Sequence, residues 1–164
     1  MRVWINLAAN NPNSMRVVIQ RVSEASVSIQ GEITAEIRRG LLILLGIEEK
    51  DTQEDADWLV QKILGIRIFA DTDDKMNLDL GQIEGDVLVV SQFTLHAQTK
   101  KGNRPSFIRA ARPEQAIPLY EYFIHAMEQH AGRKIQTGTF GAMMEVALVN
   151  DGPVTILMDT AQKE

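Results

Sequence analysis

Five consecutive apolar residues, Leu41-Leu42-Ile43-Leu44-Leu45, follow Gly40, and a second run, Val87-Leu88-Val89-Val90, follows Asp86. Neither run alternates with polar residues, so the strands they form must be covered on both faces. Neither approaches the roughly 18 apolar residues of a membrane span, so no membrane partner is expected. The chain around them is rich in strand signals. Val17, Ile19 and Val22 open a β-rich stretch, and Ala25-Ser26-Val27-Ser28-Ile29 alternates as a half-buried strand does. Gly31-Glu32 offers a hairpin turn before Ile33, Ala35 and Ile37.

The period changes after residue 50. Asp51-Thr52 can cap a helix, Glu54 and Asp55 favour its positive end, and Ala56, Leu59, Val60, Ile63 and Leu64 recur at helical spacing up to Gly65. Ile66-Arg67-Ile68-Phe69 resumes a strand, and Asp71 to Asp74 reads as a solvated turn. A second helix is predicted from Pro113 to about His130. Pro118 is expected to delay its regular part by a turn, and Leu119, Tyr122, Phe123, Ala126 and Met127 form its apolar face. Ile135 to Thr137, Met143 to Val149 and Val154 to Met158 read as further strands. About eight strands with two helices predict an α/β fold: a curled, barrel-like, mostly antiparallel sheet flanked by two main helices.

The 164 residues suit a single domain. Asn10-Asn11-Pro12-Asn13-Ser14 is rich in breakers and has no periodicity, whereas Met15-Arg16-Val17 leads straight into a strand. Residues 1–14 are therefore read as a leader left by cloning or a mis-called start, and 15–164 as the domain. The chain has no cysteine, which removes disulfides, thiolate zinc sites and a cysteine nucleophile and fits a cytoplasmic location. Its net charge of −5 argues against indiscriminate polyanion binding, so any nucleic-acid contact has to come from a local patch.

Three places could carry chemistry. The first is Ser91-Gln92-Phe93-Thr94-Leu95, where a buried strand ends in polar residues able to turn main-chain N–H groups outward. An ester hydrolase needs donors aimed at the developing oxyanion, each worth roughly 10²–10³ in rate. The bland alternative is that Ser91 and Thr94 satisfy local backbone groups. The second is Gly152-Pro153 within Asn150-Asp151-Gly152-Pro153-Val154-Thr155, which is either a special backbone conformation or an ordinary hairpin turn. The third is a basic stretch: Lys100, Lys101, Arg104, Arg109 and Arg112 fall within thirteen residues without an acid. It suits phosphate gripping, or simply a solvated face. His96 stands beside the first string as the one candidate general base. His125 and His130 fall on different helix faces, no Gly-x-Ser-x-Gly elbow occurs, and Asp71, Asp73 and Asp74 lack the rest of a calcium loop. No metal or cofactor is expected.

These strings resemble the signature motifs of the D-aminoacyl-tRNA deacylases of the bacterial and eukaryotic type. Met15 to Val22 is similar to their N-terminus, Ser91 to Leu95 to the first motif, and Asn150 to Thr155 to the second. Asn103-Arg104-Pro105-Ser106-Phe107 is similar to the stretch between them. The resemblance implies hydrolysis of D-aminoacyl-tRNA, and of glycyl-tRNA mischarged on the alanine tRNA. It implies a homodimer in which a cis Gly152-Pro153 loop enters the partner's site, with Arg21 fixing that loop. Ser91, Gln92, Phe93 and Thr94 would form the catalytic strand end, acting through backbone groups and the terminal ribose hydroxyl of the RNA. Thr94 as nucleophile is the older alternative. Lys100, Lys101, Arg104 and Arg109 would hold the tRNA. The competing function is a non-catalytic nucleic-acid-binding module that uses the 100–112 patch.

Overall fold

The computed structural model describes residues 14–163. In chain order the elements are β1 (Arg16–Ile29), β2 (Glu32–Ile37), β3 (Gly40–Gly46), α1 (Gln53–Gly65), β4 (Phe69–Ala70), β5 (Met76–Leu78) and β6 (Asp86–Ser91). A short 3-10 turn at Phe93–His96, α2 (Pro113–Ala131), β7 (Gln136–Thr137) and β8 (Glu145–Asp159) follow. Six strands form one mixed sheet in the order β2-β1-β3-β6-β7, with β8 also on β1, and β4 and β5 pair separately. β1 is antiparallel to β2, β3 and β8, whereas β3–β6 and β6–β7 are parallel. The ends of the path, β2 and β7, approach one another, so the sheet curls into a nearly closed barrel.

The two unbroken apolar runs lie side by side in register, Leu41 against Val87 through Leu44 against Val90. Their alternate side chains feed two cores. Leu41, Ile43, Leu45, Val87 and Val89 pack with Leu59, Ile63, Phe123 and Met127 of the helices. Leu42, Leu88 and Val90 face into the curl with Val22, Val27 and Ile37. Coverage on both faces is what the lack of alternation demanded. Removing a buried Leu or Ile from either layer costs about 2–5 kcal/mol.

α1 begins where its cap predicts. The Asp55 carboxylate accepts the Thr52 N–H at 2.9 Å and the Thr52 hydroxyl at 3.1 Å. α2 runs regularly from Pro113 with Pro118 inside it, so the expected delay does not occur. Pro118 is the sixth residue of α2, so the helix continues through it at the loss of one ladder bond, the one the Glu114 carbonyl would have accepted. Tyr120, not Tyr122, is the buried tyrosine of α2, and its hydroxyl donates to the Val89 carbonyl at 3.2 Å.

Three other expectations shift. The first hairpin turns at Gln30-Gly31, both with positive φ (52° and 82°), one residue earlier than the sequence suggests. A bulge sets Val27 opposite Ala35 but Ser28 opposite Ile33, which moves Ile33 to the outer face, 62% exposed. Ile66 to Ile68 form no strand, because the Ile68 carbonyl accepts the Arg21 guanidinium instead of a ladder partner. Finally, the two C-terminal strand segments are one strand, β8, paired with β1 on both sides of Gly152-Pro153.

The reading of residues 1–14 as a foreign leader falls, for 1–13, outside the described residues. Ser14 itself is built into the fold. Its N–H donates to Asp51 at 2.8 Å and its hydroxyl to Asp159 at 2.9 Å. Among the described residues no helix is long and apolar enough to cross a membrane.

Candidate active site

β6 leaves the sheet at Ser91. The Gln92 N–H donates to the Leu45 carbonyl at 2.8 Å, and the chain then winds into the 3-10 turn. The first donor within that turn is Leu95, bonded to the Gln92 carbonyl at 3.2 Å. The N–H groups of Phe93 and Thr94 precede it and have no partner inside the turn. Arg16 pins the turn from β1: its Nη1 donates to the Leu95 carbonyl at 3.0 Å and its Nε to Asp159 at 2.8 Å. Burial raises the Asp159 carboxyl, but the Ala161 N–H, Arg16 and Ser14 together hold it below the ordinary value. Beside the turn lies a cavity of about 310 Å³, lined by Ser91, Gln92 and Phe93 on one side and Phe140, Met143 and Met144 on the other.

Gly152-Pro153 occupies a bulge. Val22 faces Asn150 and Gln20 faces Thr155, so Arg21 alone stands opposite the four residues 151–154. The Gly152-Pro153 bond is cis, as the resemblance implies. Gly152 has φ 149°, and a Cβ there would meet Val154 N at 2.8 Å and Arg21 Nη2 at 3.2 Å. The bulge is held from both ends. Arg21 Nε donates to the Asp151 carbonyl at 2.8 Å and its Nη1 to the Ile68 carbonyl at 2.5 Å. Asn150 accepts the Val154 N–H at 2.8 Å and donates to the Val154 carbonyl at 3.1 Å.

The basic segment borders the first motif. Gln98 and Ser106 exchange backbone hydrogen bonds at 2.8 and 3.0 Å, closing residues 98–106 into a loop. The Phe107 ring meets the Phe93 ring edge-on at 5.1 Å. Lys100, Lys101 and Arg104 are exposed at this rim. Arg109 differs, because its Nε is ion-paired with the buried carboxylate of Glu48.

His96 is 3% exposed. Burial lowers its pKa, partly opposed by a hydrogen bond to the Gly46 backbone, so the ring is neutral near pH 7. Its Nε2 has no hydrogen-bond partner among the described residues. The Thr94 hydroxyl receives the Gln92 side-chain amide, which is a donor and not a base. No group of three or more His, Asp or Glu among the described residues is arranged to hold a metal.

A family model described as D-Tyr-tRNA(Tyr) deacylase matches residues 18–159, spanning both motifs. The chain belongs to the D-Tyr-tRNA(Tyr) deacylase family. It is 61% identical to the D-aminoacyl-tRNA deacylase of Flavobacterium johnsoniae, over 92% of this chain and 100% of that one. It is 59% identical to that of Phocaeicola vulgatus over the same shares. Among solved structures it is similar to the c-Myc DNA Unwinding Element Binding Protein: TM-score 0.82, 40% identity, 87% of this chain and 97% of that one. A structure described as a probable eukaryotic D-amino acid tRNA deacylase shares the fold: TM-score 0.78, 19% identity, 89% and 99% covered.

Within one deacylase chain the two motifs do not meet. Ser91 is level with Leu45 and Val17, whereas the bulge is level with Arg21, Leu41 and Val87. That is four residues along the strands, ~13 Å, and three strand spacings across the sheet, ~14 Å. Two features at or near this candidate site were not singled out by the sequence. The loop Phe140 to Met144 forms a wall of the cavity, and its one cue was a pair of adaptable methionines after Gly138 and Gly141. Glu48, an acid just past the apolar run of β3, is 4% exposed.

Proposed function

We propose that the chain cleaves the ester joining a D-aminoacyl group to the terminal ribose of tRNA, using main-chain atoms from two copies of itself. The observation that carries this reading is the separation of two backbone-rich motifs that a single chain cannot bring to one pocket. A second copy with two-fold symmetry supplies the missing half twice over.

In each site the Phe93 and Thr94 N–H groups face the oxyanion that forms as water attacks the ester carbonyl. The Gln92 N–H takes no part, since the Leu45 carbonyl already holds it. The terminal ribose hydroxyl of the RNA, fixed beside the carbonyl, helps deliver the attacking water. A nucleophilic Thr94 ranks lower, because its hydroxyl faces an amide donor. His96 bonds neither Thr94 nor Ser91 among the described residues.

The partner's bulge provides the chiral filter. Gly152 has no side chain and Pro153 no N–H, so the tip presents carbonyl acceptors suited to a substrate ammonium. Arg21 and Asn150 bind the flanking Asp151 and Val154 carbonyls and so hold the tip in place. A backbone that close to the α-carbon excludes a side chain on the L side, lets a D side chain point outward, and admits glycine. Glycyl-tRNA, mischarged on the alanine tRNA, is therefore a second substrate. Lys100, Lys101 and Arg104 receive tRNA phosphates at the rim, with the terminal nucleoside in the cavity beside Phe93. The setting is the cytoplasm, where translation supplies the substrate.

Subunit complementation tests the shared site. Gly152→Ala and Phe93→Pro chains, each inactive alone, are refolded together and assayed on D- and L-tyrosyl-tRNA. Random pairing makes half the dimers mixed, each with one intact site, so activity returns to about a quarter of wild type. No recovery, or equal turnover of the two enantiomers by the wild type, overturns the reading. The competing reading, nucleic-acid binding without hydrolysis, is favoured by the likeness to a DNA-element-binding protein. Salt-dependent binding of DNA without ester cleavage would select it.

A further inference from the structure

We infer that Glu48 and Arg109 are positioning residues for the 91–96 turn, and that Arg109 is not one of the phosphate grips. This rests on the reading above of that turn as the oxyanion-binding element.

Of the basic segment, Arg109 is the member that forms an ion pair among the described residues. Its partner is on the loop that follows β3, next to Ile47, which lines the cavity. Two backbone hydrogen bonds, which together make an antiparallel bridge, reinforce the pair. The Glu49 N–H donates to the Arg109 carbonyl at 3.3 Å and the Ala111 N–H to the Ile47 carbonyl at 2.9 Å, setting Glu48 opposite Ala110. Residues 109–111 are thereby fastened to residues 47–49.

From that anchor a path leads to the site. The Ala110 N–H donates to the Phe107 carbonyl at 3.0 Å, and the Phe107 ring packs on Phe93. At the end of the turn, His96 is bonded to the Gly46 backbone and lies in the fields of Arg16, Glu48 and Arg109. Two buried polar atoms in this cluster, Glu48 Oε2 and His96 Nε2, have no hydrogen-bond partner among the described residues. The Glu48 carboxylate thus depends heavily on Arg109. Removing one member of a buried ion pair is far more costly than the pair is stabilising, because a bare charge remains. Here the nearest means of relief is movement of the turn that carries the Phe93 and Thr94 amides.

A phosphate grip and a positioning residue leave different kinetic signatures. A grip changes KM and the salt dependence of RNA binding, lowering the slope by about one per lost contact. A positioning residue changes kcat. Glu48 is too buried to touch RNA, so its variants isolate the second effect. The assay is deacylation of D-tyrosyl-tRNA by the full-length protein, with salt titration of uncharged tRNA binding alongside. Glu48→Gln and Arg109→Lys are expected to lower kcat tenfold or more at unchanged KM and salt slope. Arg104→Ala should do the reverse. Arg109→Ala should be the most damaged single variant, and adding Glu48→Gln to it should restore part of kcat. Should Glu48→Gln fail to fold, Arg109→Lys retains the charge and still separates the two signatures. Wild-type kinetics in Glu48→Gln, or an Arg109 variant that changes only KM and salt slope, overturns the assignment. A wild-type protein without deacylase activity would instead refute the proposed function, and the unmodified enzyme reveals that first.

Discussion

The 91–96 turn and the 151–154 bulge are both places where polar chemistry interrupts an apolar strand, yet the fold treats them in opposite ways. At the turn the strand ends. β6 is a central strand, and the turn beyond it is fixed by Arg16, by the Leu45 carbonyl and by the basic segment. At the bulge the strand continues, since β8 pairs with β1 before and after it, and four residues are pushed out opposite one. Gly152 and Pro153 are exposed, and two side chains, Arg21 and Asn150, hold the protrusion. The contrast suits a receptor and a probe. The turn offers donors over a cavity, and the bulge offers acceptors on a tip.

The largest effect should come from removing a donor at the turn. Phe93→Pro deletes the N–H at the first position of a helical turn, where proline's φ is tolerated and no internal bond is lost. A fall of about 10²–10³ in kcat is expected if that amide binds the oxyanion. Phe93→Ala, which keeps the amide, should cost less than about tenfold, the scale of one lost aromatic contact. Comparable losses in the two variants would break the contrast by making the side chain, not the main chain, the active part of the turn.

Next is the probe. Gly152→Ala places a Cβ 2.8 Å from backbone nitrogen at a φ of 149°, so the main chain itself must move. A displacement near 1 Å at the reacting geometry costs on the order of 10² in rate. Loss of D-tyrosyl-tRNA turnover at an almost unchanged melting temperature is the expected result. A large drop in melting temperature would show that the bulge serves the fold as much as the site. Arg21→Lys is milder, because lysine cannot bridge the Asp151 and Ile68 carbonyls with a planar fork. It should raise turnover of L-tyrosyl-tRNA relative to the D form by about tenfold, equivalent to ~1.4 kcal/mol of lost discrimination.

The same contrast decides what could be read from the chain alone. The turn was legible because local rules govern it: an unbroken apolar run has to be a covered strand, and polar residues at its end have to leave the sheet. The capped helix from Thr52 was legible for the same reason. The bulge was not. Asp-Gly followed by Pro reads locally as a hairpin, and only pairing of both halves with β1, more than a hundred residues away, makes it one strand. Ile33 was misplaced by a similar cause, one extra residue opposite Val27 and Ser28. Glu48 and the Phe140–Met144 wall escaped notice because burial of a charge and exposure of methionines are tertiary outcomes. Met143, read from the sequence as the start of a strand, lies before β8 and is 91% exposed.

The smallest effect concerns proton binding, and it separates the two regions once more. Asp51 is 6% exposed. Burial pushes its carboxyl from 3.8 up to about 7, although it accepts the Glu48 and Ser14 N–H groups. Between about pH 4 and 7 the folded chain therefore holds a proton that the unfolded chain has released. Stability from this group is fully present below pH 4, falls as pH rises through that window, and levels off above 7. Asp51→Asn abolishes the titration, so its melting temperature relative to wild type should improve by a few degrees between pH 5 and 8. Asp51 joins the Glu48 backbone at 2.6 Å, on the turn side of the molecule. A pH-dependent kcat in wild type that Asp51→Asn flattens, with L/D selectivity unchanged, would place proton linkage at the receptor and leave the probe untouched. A shift in selectivity instead would mean that the two regions are mechanically coupled through β1, which carries both Arg16 and Arg21.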